Sequence, residues 1–185
     1  VASAVDTIAI GLGATATGNF AASSGRGTAA GTNSVALGRG ETGSSASDGF
    51  AAGQAVATGS SSVALGTSRA GGTASFSAVI TENSTSYGAT GANSIAMGYR
   101  AKATNSDAVA LGNTATASGA SSVAIGVGAV AATSESIALG INATVGTSTR
   151  GTALGYSANA TGSQATAIGD SVASGGNSFA AVADA

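Results

Sequence analysis

Val109-Ala110-Leu111-Gly112, Val123-Ala124-Ile125-Gly126 and Ile137-Ala138-Leu139-Gly140 stand 14 residues apart. Self-similarity at a fixed short period marks a stacked, quasi-one-dimensional architecture. The same tetrad recurs as Ile8 to Gly11, Val35 to Gly38, Phe50 to Gly53, Val63 to Gly66 and Ile95 to Gly98. Looser copies end at Gly155 and Gly169, with Thr152 and Thr166 in first place. Three further copies lack the glycine: Phe20 to Ser23, Phe76 to Val79 and Phe179 to Val182. Together they make 13 rungs, 12 to 15 residues apart except for one gap of 19.

Each rung has a second half. Small residues alternate after the glycine, as in Ala115 and Ala117 or Ala129 and Ala131, and a polar turn such as Ser118 to Ser122 leads into the next tetrad. Alternation is the strand period. Gly, Ser, Asn and Thr bound each segment, as strand ends require, and interrupt every candidate helix within about two turns. The reading is therefore all-β: a parallel β-roll, or β-solenoid, of about 13 coils with a ~14-residue repeat, rising ~4.8 Å per coil to roughly 60 Å. Glycine at the end of the tetrad supplies the positive φ that a sharp reversal needs. The chain has no proline, which would remove a ladder donor from strands paired above and below.

Within the tetrad, the first and third residues point to one side and the Ala between them to the other. The expectation is that the bulky side fills the coil and the Ala side stays flat enough for another chain to pack on it. A coil this thin buries little apolar area at ~25 cal/mol per Å², so association of several chains is expected. The competing reading of so Gly- and Ser-rich a chain is a disordered linker. The phased Ile, Val and Leu and a hydrophobic fraction of 43% oppose it.

Net charge is −2 with six scattered basic residues, which is not a nucleic-acid surface. No apolar stretch approaches 18 residues, so no membrane insertion by this segment is expected. There are no cysteines and no histidines, which removes most nucleophile and general-base arrangements, so no catalytic role is expected. The acidic residues lie on different rungs, and Gly71-Gly72 and Gly175-Gly176 lack the continuation of a calcium roll, so neither a metal site nor a cofactor is expected. Threonine does not recur at one rung position, as an ice-binding solenoid would need. The four phenylalanines are assigned to the first tetrad position and to packing. We read residues 1–185 as one repeat domain, a segment of a longer fibre, with an irregular insertion at about 80–92.

At Asn33-Ser34-Val35-Ala36-Leu37-Gly38, Asn93-Ser94-Ile95-Ala96-Met97-Gly98 and Ser121-Ser122-Val123-Ala124-Ile125-Gly126 the chain resembles the head repeats of YadA-type trimeric autotransporter adhesins. The resemblance implies a left-handed roll, a homotrimer, and binding to a host surface or extracellular-matrix ligand. It implies a place in an extracellular fibre anchored in a bacterial outer membrane. It also points to the serines before the tetrad, Ser34, Ser62, Ser94, Ser122 and Ser136, as roll-building residues that have been tied to ligand binding. Similar repeats occur in bacteriophage fibres, which keeps a virion appendage with a host-cell receptor as the alternative. Recognition is expected at Thr81, Glu82, Asn83 and Tyr87 of the insertion, because loops beyond the repeat's needs tend to carry function, and at the post-glycine residues Tyr99 and Tyr156.

Overall fold

The computed structural model describes residues 1–79, 86–147 and 149–182. It divides into two compact units, Val1–Ser94 and Ile95–Ala185. Among the described residues there is no helix.

In the first unit, the tetrads form the strands Ile8–Ile10, Ala22–Gly25, Val35–Gly38, Phe50–Gly53, Val63–Gly66 and Phe76–Val79. Each pairs in parallel with the next, one coil on. Two-residue strands, Thr15–Ala16, Thr28–Ala29, Glu41–Thr42, Val56–Ala57, Arg69–Ala70 and Gly88–Ala89, form a second parallel sheet. The second unit repeats this plan from Ile95–Met97 to Phe179–Ala181, with short strands from Lys102–Ala103 to Val172–Ala173. The molecule is a parallel β-solenoid of stacked two-strand coils. Gly88–Ala89 pairs back onto Arg69–Ala70, so the ladder has resumed by Gly88.

The inside and the outside of the coil are the reverse of the sequence expectation. The middle alanines of the tetrads, Ala36, Ala51, Ala64, Ala96, Ala110, Ala124, Ala138, Ala153 and Ala167, are fully buried. They face the equally buried alanines of the short strands, such as Ala117 and Ala131. The first and third residues point outward: Leu37, Met97, Ile125 and Leu154 are about two-fifths exposed, from 39% to 43%. The reason is space. Two sheets joined by turns of a few residues leave room for methyl and hydroxymethyl groups, and interiors are close-packed. Among the described residues Val145 is the one larger fully buried side chain.

One rung also shifts. Ile8 pairs with Ala22 and Ile10 with Ser24, so the second tetrad is Ala22-Ser23-Ser24-Gly25 rather than Phe20 to Ser23. Phe20 lies in the preceding turn at φ 57° and is exposed. Its glycine, Gly25, restores a spacing of 14 from Gly11.

The coil length has a local cause. After Gly25, Gly38, Gly53, Gly66 and Gly169 the short strand starts three residues on, and these glycines have φ from 71° to 90°. After Gly11, Gly98, Gly112, Gly126, Gly140 and Gly155 it starts four residues on. There φ runs from 114° to 134°, and a second positive φ follows two residues later, at Gly13, Arg100, Thr114, Gly128, Asn142 and Ser157. Tight turns give 13-residue coils and wide turns 14-residue coils, as in Gly53 to Gly66 and Gly112 to Gly126. The two 15-residue coils carry their extra residues in the opposite turn, before Phe50 and before Thr152. A Cβ on Gly126 would sit 2.3 Å from the carbonyl oxygen of Gly140. The glycine column is thus required by stacking as well as by φ.

Candidate functional site

The outer face of the tetrad sheet is the first candidate. Its first-position residues are Ile, Val, Phe, Thr or Ala, and its third-position residues Leu, Ile, Met, Ala or Ser. No charged side chain interrupts it. In the first unit its columns run Val35, Phe50, Val63, Phe76 and Leu37, Ala52, Leu65, Ala78. None of the described residues covers it: Ile95, Ile125 and Ile137 keep 37–39% exposure despite neighbours above and below. Soluble surfaces seldom leave so long an apolar stripe to water.

The serines before the tetrad lie elsewhere. Ser34, Ser62, Ser94, Ser122 and Ser136 are fully buried. Each donates its hydroxyl to the carbonyl three residues back: Gly31, Gly59 and Gly91 at 2.6 Å, Gly119 at 2.7 Å and Thr133 at 2.5 Å. The hydroxyl closes the turn whose positive-φ residue directly precedes it, such as Asn33 or Ser121. Ser75 makes the same bond to Gly72, whereas Ser178, in the same place before Phe179, leaves its buried hydroxyl without a hydrogen-bond partner among the described residues. The place of Ser75 directly before Phe76 was the signal for it. Ser77 replaces a core alanine, and among the described residues its buried hydroxyl has no hydrogen-bond partner.

The turn after the glycine forms a second surface. In wide turns the next residue stands at the tip: Leu12 is 92%, Val127 49%, Ile141 49% and Tyr156 62% exposed. Tyr99 is in the same column, with the Arg100 guanidinium 5.1 Å from its ring centroid. The structure therefore aligns Tyr99 and Tyr156 along one edge of the second unit, and adds Val127 and Ile141 between them. Their shared position after the glycine is visible in the sequence, although aliphatic residues there carry no obvious chemical signal. In tight turns the same place holds Arg26, Arg39, Gln54, Thr67 and Asp170. A shallow groove is lined by Arg26, Arg39, Glu41, Gln54 and Val56. On the opposite edge, Asn33 donates to Asp48 at 3.0 Å. There too Arg150 meets Glu135 at 2.6 Å, and that contact raises the arginine's pKa through its hydrogen bond and charge.

Tyr87 is half-buried just before Gly88–Ala89. Thr81, Glu82 and Asn83 lie outside the described residues. Among the described residues no three metal-ligating side chains come together.

The model of the YadA head domain repeat matches residues 2–27, 28–40, 53–68, 89–115, 117–143 and 147–171. No curated protein matches the chain. The matched stretches cover most of the sequence and contain every glycine-ended tetrad except Phe50–Gly53, the buried serines Ser34, Ser62, Ser94, Ser122 and Ser136, and both turn types described above. This chain belongs to the YadA head-domain family, whose domains are structural segments of surface-exposed adhesin fibres.

Proposed function

We propose that three copies of this chain assemble with their tetrad sheets turned toward a common axis, and that the resulting fibre attaches to a host cell or matrix through many weak contacts. The observation that carries the reading is the outward apolar stripe, uncharged from coil to coil and left uncovered by the described residues. Burying it between copies removes apolar area from water that one thin coil cannot hide in its own alanine core. The edges stay outside and repeat their side chains on every copy, so contacts sum by avidity.

Recognition is assigned to the wide-turn edge, at Tyr99, Val127, Ile141 and Tyr156, and to the insertion with Thr81, Glu82, Asn83 and Tyr87. Tyrosine offers a rigid contact surface with a polar tip. The buried serines support the fold and leave these exposed groups to meet a ligand. Outer-membrane anchoring follows if the fibre is an autotransporter. A virion appendage built on the same repeat would share the assembly and differ only in its target.

Light scattering on the isolated segment tests the assembly, with three chains expected and a stable folded monomer at micromolar concentration ruling it out. Binding to immobilised collagen-type matrix and to cells tests the adhesion. Ile141→Ser with Tyr156→Ser, and separately a Gly-Ser turn in place of residues 81–86, should weaken binding without moving the melting transition. Unchanged binding in both would remove the assigned surfaces.

A further inference from the structure

Three tetrads begin with phenylalanine and sit in strands: Phe50-Ala51-Ala52, Phe76-Ser77-Ala78 and Phe179-Ala180-Ala181. All three carry alanine in third place. All nine tetrads that begin with Ile, Val or Thr carry Leu, Ile or Met there. The remaining tetrad, Ala22-Ser23-Ser24, is small at both places. Bulk at one outward position is thus traded against bulk at the other. In the first unit the trade makes two columns in opposite phase, Val35-Phe50-Val63-Phe76 beside Leu37-Ala52-Leu65-Ala78. These three rungs fall in the stretches 41–52, 69–88 and 172–185 that the head-repeat matches leave out.

An open face would not need this exchange. A leucine beside a phenylalanine costs nothing when water lies above both. The exchange is needed when a facing surface holds the same separation at every coil, because overpacking and voids are then both penalised. Only a surface with the same coil repeat, ~4.8 Å per step, can hold that separation along the whole ladder. A second copy of this chain is such a surface.

We infer that the Phe-x-Ala rungs are size keys in a contact between copies of this chain, and that they set the copies in register, coil against identical coil. This rests on the assembly proposed above. The keys are the fourth, sixth and thirteenth rungs, so the steps between them are two, seven and nine. No two steps are equal. Sliding one copy by one to eight coils therefore places at least one phenylalanine level with a large third-position residue, and a longer slide leaves four rungs or fewer in contact. Unslipped alignment alone sets every phenylalanine against phenylalanine-alanine rungs.

The test is a double-mutant cycle at the fourth rung, read by thermal melting, with the oligomeric state of each protein measured by light scattering. Phe50→Val leaves a void and Ala52→Leu overfills the rung, so each should lower Tm by about 5 °C or more. The double variant recreates a regular Val-Ala-Leu rung and should return to within about 2 °C of the parent. A harmless Ala52→Leu, or single effects that merely add, overturns the key without bearing on whether the parent is a trimer. A monomeric parent overturns the assembly itself. Register is read separately. The chain has no cysteine, so Ser61→Cys places one spin label per copy on an exposed turn. One narrow label-to-label distance supports register, and several distances overturn it.

Discussion

The tight-turn coils of the first unit and the wide-turn coils of the second differ by one residue, and that residue changes the edge. In the tight turn, the residue after the glycine donates its N–H onward: Arg26 to Gly38 O at 2.6 Å, Arg39 to Gly53 O and Gln54 to Gly66 O at 2.7 Å. In the wide turn, bonds run back to the previous coil, as from Gly112 to Met97 O at 2.8 Å and from Thr114 to Tyr99 O at 2.7 Å. The residue between those two donors is lifted to the tip. Every tight-turn tip is polar, whereas Leu12, Tyr99, Val127, Ile141 and Tyr156 occupy five of the six wide ones. The core hardly notices: alanine or serine fills it in both regions, except for Thr42 in the first and Val145 in the second. A solenoid can therefore change its outer edge by a single insertion without disturbing the ladder.

The largest expected effect separates the two glycine environments. Gly126→Ala combines φ 133° with a Cβ 2.3 Å from a backbone oxygen, and should cost roughly 3 kcal/mol or more. Gly38→Ala has φ 71° and its nearest atom at 3.4 Å, so about 1 kcal/mol is expected. Equal losses in denaturant melts would erase the distinction between these two glycines, of which Gly38 is the roomier exception in its column, since a Cβ on Gly25 or Gly53 would sit 2.7 Å from a backbone oxygen.

A middle-sized effect tests whether the difference is confined to that turn. Ser122→Ala, on a wide-turn coil, and Ser62→Ala, on a tight-turn coil, each remove the same bond in the opposite turn. Each should lose about 1 kcal/mol. Unequal losses would mean that the turns communicate. Ser77→Ala should go the other way and gain up to about 1 kcal/mol, because it removes a buried hydroxyl with no partner among the described residues.

The smallest effect is the most direct conversion. Deleting Val127 turns Gly126-Val127-Gly128-Ala129 into Gly-Gly-Ala, the pattern of the tight turn Gly53-Gln54-Ala55. Circular dichroism should show the strand signal intact and a Tm within about 4 °C of the parent. Collapse of the strand signal would show that the tip residue is structural.

Much of this was legible in the residues. Val109-Ala110-Leu111-Gly112 and its copies disclosed the period, the strands, the parallel stacking and the need for glycine. The serines announced themselves by position. The orientation did not, because alternation says which residues share a face and not which face is inside. The rule that large apolar groups go inward fails where the interior is one alanine deep. Phe20 misled for a related reason: a large apolar residue looked like a rung's first position, while counting 14 from Gly11 leads to Gly25. Thr81, Glu82 and Asn83 remain expectations, and Tyr99 and Tyr156 gained neighbours that spacing alone did not single out.

Ile125 tests the central claim that the outward stripe is an interface. It stands in the most regular part of the ladder, with Leu111 and Leu139 beside it. Ile125→Asp would bury a carboxylate between copies without touching the alanine core of its own coil. Sedimentation of the parent and the variant side by side is the decisive measurement. The account predicts three chains for the parent and dissociation, to monomers or unfolded chains, for the variant. A parent that sediments as a folded monomer, or a variant that stays trimeric with an unshifted melting temperature, would contradict it.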